Sequence, residues 1–289
     1  MRFTKESIGI GSDGQEMYVY KYKPRKPEFS GSAASYRGVN PKFIIVCAQH
    51  GFEKSSIYGT YYLVKDILNN YKNNIFLSYY RTYVELIIVP CTNSYGIDNN
   101  QYTNANSVNL NRNWPVKNWT KDESIEVGST QYSGESAGDQ PEVKNISSVI
   151  DSNRDAFAVI DYHTNGSSIV EKKKINWISM SLNSDTYRNQ FVDAANWHIC
   201  NITLNFEEIY KSVLGDSEDM CGFMDGGTTD TTIGYLSSYG KEQGFISMTF
   251  EGFNGFPLDD SAFSDAEKKA NSELLGNFIL SLCSKYSSK

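Results

Sequence analysis

The sequence has only three histidines in 289 residues, His50, His163 and His198, so imidazole chemistry has few places to occur. Its five cysteines (47, 91, 200, 221 and 283) are odd in number and unclustered. They offer no disulfide framework and no pair spaced for a metal. Cys47 and Cys91 lie in apolar runs, where a free thiol packs as a small hydrophobe. No apolar run reaches the roughly 18 residues of a membrane span. The opening Met1-Arg2-Phe3-Thr4-Lys5-Glu6 lacks the apolar stretch of a secretion signal. The expected location is therefore the cytoplasm, or the outside of the cell as part of a larger exported protein. The net charge is −7, which argues against nucleic-acid or anionic-membrane partners. Repeats, coiled-coil heptads and a domain boundary are also lacking. The expectation is one domain over residues 1–289, a length compatible with a single α/β unit, and the 39% hydrophobic residues are ample for its core.

What is present is a set of apolar runs that each lead to a polar residue. Phe43 to Ala48 leads into Gln49-His50-Gly51-Phe52-Glu53, which delivers an imidazole and a carboxylate three residues apart. Both are good zinc ligands, and a catalytic zinc site commonly has three protein ligands and a place for water. Ala156 to Ile160 leads into Asp161-Tyr162-His163, and Phe245 to Phe250 leads to Glu251. Open α/β sheets place their sites outside the carboxyl ends of their strands, so the three runs point to one sheet edge.

These runs, with Asn93-Ser94-Tyr95-Gly96, Asn109-Leu110-Asn111-Arg112-Asn113-Trp114 and Thr249-Phe250-Glu251 in the same order, resemble the zinc carboxypeptidases of the carboxypeptidase A type. The resemblance runs from about residue 3 to about residue 285. It implies one Zn2+ held by His50, Glu53 and His163, with Glu251 as the general base that takes a proton from the metal-bound water and passes it to the leaving amine. It implies that Arg112, assisted by Asn111, grips the free C-terminal carboxylate of a peptide, because a guanidinium fork pairs bidentately with a carboxylate. Two departures stand out. The family's upstream arginine, which polarises the scissile carbonyl, has no counterpart, since residues 97–110 hold no Arg or Lys. Its place falls near Tyr102, so either that phenol substitutes or another arginine such as Arg81 reaches in. Asn109 stands where an Asp that orients a zinc histidine is common, and Asp161 is an alternative partner for that role. The family's mobile tyrosine should lie in residues 222–244, with Tyr235 and Tyr239 as candidates. Asp230 in that loop would favour basic side chains. His198 reads as structural.

Along the chain, residues 3–10 and 16–22 read as strands of a hairpin around Gly11-Ser12-Asp13-Gly14. Residues 24–41 read as a loop and 42–48 as a strand buried on both faces. Ser55 to Tyr71 reads as a helix through Tyr58, Tyr62, Val64, Ile67 and Leu68, with Glu53 in its first turn. A strand from Tyr83 to Val89 follows. Residues 91–140 form a polar stretch that a compact domain keeps only for function. Pro141 opens a helix to about Ser152, residues 156–161 form a strand, and 185–201 form a helix. Residues 222–244 are a loop before the strand 245–250. Ser264-Asp265-Ala266-Glu267 fits a capping box for a last helix with Leu274, Leu275, Phe278, Ile279 and Leu282 buried. Strands alternating with helices imply an α/β fold with a mixed, mainly parallel central sheet flanked by helices on both faces. The expected activity is removal of one C-terminal residue from a peptide, a bacterial cell-wall peptide being one such substrate. The alternatives are an amidohydrolase of the desuccinylase or deacylase type acting on N-acyl amino acids, and a binding module that has lost turnover.

Overall fold

The computed structural model describes residues 2–24, 40–165, 178–181, 233–253 and 265–286. Seven strands form one sheet in the order β1-β2-β4-β3-β5-β7-β6: β1 (Arg2–Ile10), β2 (Glu16–Lys23), β3 (Lys42–Cys47), β4 (Glu85–Val89), β5 (Ala158–Asn165), β6 (Ile178–Ser181) and β7 (Ile246–Phe253). The central β4, β3, β5 and β7 run parallel. The β1-β2 hairpin and β6 join antiparallel at the two edges. The parallel strands are near-continuous in Val, Ile and Phe because both of their faces are covered.

Alternate residues feed two cores. Phe43, Ile45 and Cys47 of β3, with Ile160 and Tyr162 of β5, pack against α1 (Ser55–Asn69), α2 (Ile75–Tyr83) and the C-terminal helix. Ile44, Val46 and Val159 face the opposite way, toward Trp114 and the helix that Pro141 opens. The short α3 (Ser94–Asn99), that helix α4 (Pro141–Asp151), α5 (Leu236–Glu242) and the C-terminal α6 (Asp265–Tyr286) complete the described α-helices. Leu274, Leu275, Phe278, Ile279 and Leu282 of α6 are all buried, as their spacing requires. Each such side chain contributes about 1.5–3 kcal/mol relative to exposure.

Several local expectations need correction. Residues 75–83 are helical, although no helix was expected there, and the following strand starts at Glu85, not Tyr83. The Asn74 side chain caps α2 by accepting from the Phe76 and Leu77 amides, and the Tyr80 hydroxyl donates to the Gly276 carbonyl of α6. The buried stripe of α1 is Gly59, Thr60, Leu63, Val64 and Ile67, so Tyr58, Tyr62 and Leu68 fall beside it. Residues 236–242, expected in a loop, form α5. The expected helix at 185–201 with His198, the loop from 25 to 39, residues 222–232 with Asp230, and the Ser264 end of the capping box lie outside the described residues.

The long polar stretch 91–140 is tied down residue by residue. Leu110, Trp114 and Val116 are buried in the core on the α4 side. The Asn113 amide donates to the Ser133 and Ser136 carbonyls and to Asp139, and its oxygen accepts from the Gln140 backbone. Gly234 lies so close to this stretch that a Cβ would fall 2.5 Å from the Arg112 carbonyl oxygen. The Trp114 amide also donates to the Gly234 carbonyl. Residues 112–114 and 233–235 are thereby held together beside the carboxyl ends of the parallel strands.

Candidate active site

β3 ends at Cys47, and the chain then turns through Ala48 in the left-handed region, at φ 54°. A non-glycine residue held there costs about 1–3 kcal/mol, and such strain collects at functional sites. The turn is held by the Ser56 hydroxyl, which lies 3.1 Å from the Ala48 amide, and by the Asn93 side chain, which donates to the Gln49 carbonyl. Gly51 is required by packing, because a Cβ there would fall 2.0 Å from the Gly96 backbone. Glu53 precedes α1 and does not sit in its first turn; its amide donates to the His50 carbonyl, and its own carbonyl accepts from Ser56. His163 and Glu251 were expected at strand ends. β5 and β7 instead run on through them to Asn165 and Phe253. The two residues are register partners on adjacent parallel strands.

His50, Glu53 and His163 are all buried and place one ligand atom each within 4.8 Å of one another. The Glu53 carboxylate lies between the rings, Oε1 at 2.8 Å from His50 Nδ1 and Oε2 at 2.7 Å from His163 Nδ1. The far nitrogens are committed elsewhere. His50 Nε2 meets Asn109 Oδ1 at 3.1 Å, and His163 Nε2 meets Asp161 Oδ1 at 2.8 Å. Asn109 is oriented independently, since its Nδ2 donates to the Thr130 carbonyl and its Oδ1 accepts from the Asn111 amide. Both rings therefore present Nδ1 to one point, with Nε2–H held by an oxygen acceptor, the arrangement that fixes a metal-ligating tautomer. Two imidazoles and one carboxylate, with nothing else of their kind supplied by the described residues, fit a zinc ion that keeps one position open. The neutral Asn109 thus takes the position beside His50, and Asp161 pairs with His163.

The charges are interdependent. Burial alone would raise the Glu53 carboxyl, but His163 and His50 more than offset it and lower it to about 2. Burial pulls His163 down, yet the Asp161 and Glu53 carboxylates override it and hold the imidazole well above its ordinary range. In metal-depleted protein these carboxylates favour a proton on the His163 ring. Zinc must replace that proton, so binding should release protons, and affinity should fall as the pH is lowered. Calorimetric zinc titrations in buffers of different ionisation enthalpy measure this directly; a buffer-independent heat would overturn it. Burial raises Glu251 to about 8, with Glu53 and Asp161 adding to the rise and His163 opposing it. Among the described residues no hydrogen-bond donor faces its carboxylate.

Tyr102 stacks on the His50 ring at 3.8 Å between centroids, and burial pushes its phenol up to about 12. Arg112 donates to the Gln131 side chain and the Asn111 carbonyl, and its guanidinium lies over the Tyr235 ring at 4.6 Å. No carboxylate among the described residues pairs with it. Asn111 is buried, its Nδ2 3.1 Å from His163 Nε2 and its Oδ1 accepting from the Leu236 amide. Tyr239 is not in the site. It is buried in α5 against Trp114, 5.4 Å between rings, in the core on the α4 side. Arg81 does not reach in either, because it caps carbonyls of α1 at Ile67 and Leu68 and covers the Tyr71 ring. Two residues with no assigned role also belong to the site, Gln49 and Trp114, and their partners are far away in sequence.

Comparison with known proteins gives the same picture. The family model described as "Zinc carboxypeptidase" matches residues 2–245. No curated protein matches significantly. Among solved structures, the chain is similar to bovine thrombin-activatable fibrinolysis inhibitor, solved in complex with tick carboxypeptidase inhibitor, at TM-score 0.70 and 16% identity, covering 99% of this chain and 90% of that one. It is similar to carboxypeptidase A from Helicoverpa armigera at TM-score 0.65 and 16% identity, covering 98% and 69%. It is also similar to a murein-tripeptide amidase from Escherichia coli O157 at TM-score 0.51 and 18% identity, covering 94% and 91%. At these identities the structural likeness speaks for the fold, while the family match spans most of the chain and contains the His50, Glu53 and His163 cluster. The chain belongs to the zinc carboxypeptidase family and is a zinc metallopeptidase.

Proposed function

We propose that the protein is a metallocarboxypeptidase of one domain that removes the last residue from a peptide with a free C-terminus. The observation that carries this reading is Arg112: a guanidinium next in sequence to Asn111, which touches His163, and without an acid partner among the described residues. A terminal carboxylate supplies the missing bidentate partner. Tyr235 lies beneath the guanidinium, and the side-chain amide of Asn111 is a second donor for the carboxylate. A zinc ion held by His50, Glu53 and His163 would lower the pKa of a water toward about 7 and polarise the scissile carbonyl. Glu251 accepts the proton from the attacking water on its carboxylate and returns it to the leaving nitrogen. Tyr102, stacked on the His50 ring, serves as the donor to the carbonyl oxygen, since among the described residues no arginine other than Arg112 lies beside the cluster. Its high phenol pKa keeps the proton available at neutral pH.

The test compares a good peptide with its C-terminal amide. A hydrogen bond to a charged group contributes about 1.5–3 kcal/mol, which corresponds to roughly 10- to 150-fold. Amidation should therefore lower kcat/KM by at least about tenfold, and Arg112→Ala should erase most of that preference. Tyr102→Phe, run on the same peptides, should lower kcat with the preference for a free C-terminus intact. Equal cleavage of free and amidated peptides by the parent protein would rule the carboxypeptidase reading out. Better turnover of N-acyl amino acids than of any peptide would favour a deacylase. A cell-wall peptide carrying a free carboxylate belongs in the panel, given the fold shared with a murein-tripeptide amidase.

A further inference from the structure

The His163 side of the cluster continues inward through three buried groups. Trp114 Nε1 donates to Gln49 Oε1 at 2.9 Å. Gln49 Nε2 donates to Asp161 Oδ1 at 2.6 Å. The same Asp161 oxygen meets His163 Nε2 at 2.8 Å. Trp114 and Asp161 are 0% exposed and Gln49 is 1% exposed, so water cannot substitute for any member. The orientation of the amide is not a free choice. An indole nitrogen is only a donor, so it must face the Gln49 oxygen, and that turns the Gln49 amino group toward the carboxylate. The other Asp161 oxygen, Oδ2, is buried with no hydrogen-bond partner among the described residues. Among those residues, the donor apart from His163 that holds this carboxylate in rotation is thus the Gln49 amide.

We infer that Gln49, oriented by Trp114, is a positioning residue for the metal ligand His163: it holds Asp161 so that His163 Nε2 keeps its proton and Nδ1 stays free toward the metal. Gln49 is the residue before His50, so one dipeptide after β3 supplies one ligand directly and braces the other across the sheet. The Gln49 carbonyl is itself held by the Asn93 side chain, which keeps the dipeptide from rotating. Partners of this kind are worth about 10- to 100-fold in metal affinity. This inference rests on His163 being a zinc ligand and not on which bond the enzyme cuts.

The test uses the full chain and zinc itself as the probe. Gln49→Met keeps the length and volume of the side chain but removes both hydrogen bonds. Competition with a chelator should show zinc bound about 10- to 100-fold more weakly, with far-ultraviolet circular dichroism unchanged. Trp114→Phe, which leaves Gln49 in place and removes the donor that orients it, should weaken zinc binding in the same direction by less. Combining the two should cost little more than Gln49→Met alone, because they act on one chain of contacts. In long-range proton–nitrogen spectra of the zinc form, the His163 Nε2 proton should exchange faster in Gln49→Met than in the parent. Zinc affinity of Gln49→Met within about threefold of the parent would overturn the inference, whether or not the variant melts earlier. Unchanged zinc binding by His163→Ala would instead overturn the ligand reading beneath it.

Discussion

Glu251→Gln is expected to keep zinc and fold while losing about 10² to 10⁴ in kcat, the range that general acid–base help supplies. The two side chains are nearly the same size, and Glu251 makes no hydrogen bond to a donor among the described residues that the amide would break. Glu251 is placed by backbone register: β7 pairs with β5 so that it stands beside His163, while it is absent from the cluster of close ligand atoms. This placement supports a role beside a bound metal and not as its ligand. The carboxylate must be ionised to accept a proton, so activity is lost as pH falls through its pKa. Burial sets that value at about 8 from the protein's own groups, and a divalent cation nearby favours the ionised form. The acid limb of the parent kcat/KM profile should accordingly lie below about 8. Zinc loss in Glu251→Gln, measured by elemental analysis, would make Glu251 a ligand and remove the role assigned to it. Turnover within about tenfold of the parent would remove it as well.

His163→Ala should lose stoichiometric zinc and, with it, activity. The substitution removes one of three ligands. It also leaves the fully buried Asp161 without its cationic partner. Breaking a buried pair from one side costs about 3–5 kcal/mol, so the variant should also melt earlier than the parent when both are free of metal. His198→Ala is the control: it should keep about one zinc per chain. The outcome that would refute the cluster is full zinc content in His163→Ala. Because Glu53 and His163 are 110 residues apart, retention of zinc by a variant unfolded in its near-ultraviolet spectrum would also count against a site that only the folded sheet assembles.

How much of this was legible in sequence depends on the range of the interaction involved. β3, α4 behind Pro141 and the buried stripe of α6 are local patterns that the structure reproduces, while the β5 and β7 runs lie in strands displaced to Ala158–Asn165 and Ile246–Phe253. α2 was missed because Ile75 and Phe76 at its start are 79% and 55% exposed, which spoils the amphipathic period; Asn74 and the α6 carbonyl stabilise it instead. α5 was missed because Ser237, Ser238 and Gly240 are weak helix formers, and packing against the sheet overrides propensity there. Of two tyrosines four residues apart, Tyr235 and Tyr239, only one can lie under Arg112. That choice depends on where α5 begins and how Gly234 meets Trp114.

By itself the sequence determined the residue types of the metal cluster, their delivery by apolar runs, and the family to which the order of motifs belongs. Those features are carried by short segments and their spacing. The tertiary structure alone decided which partner holds which ring. Asn109 reaches His50 across 59 residues, Gln49 reaches Asp161 across 112, and Trp114 reaches Gln49 across 65. No periodicity encodes such pairings, because they exist only once parallel β3, β5 and β7 are side by side and the 91–140 stretch has folded over their ends.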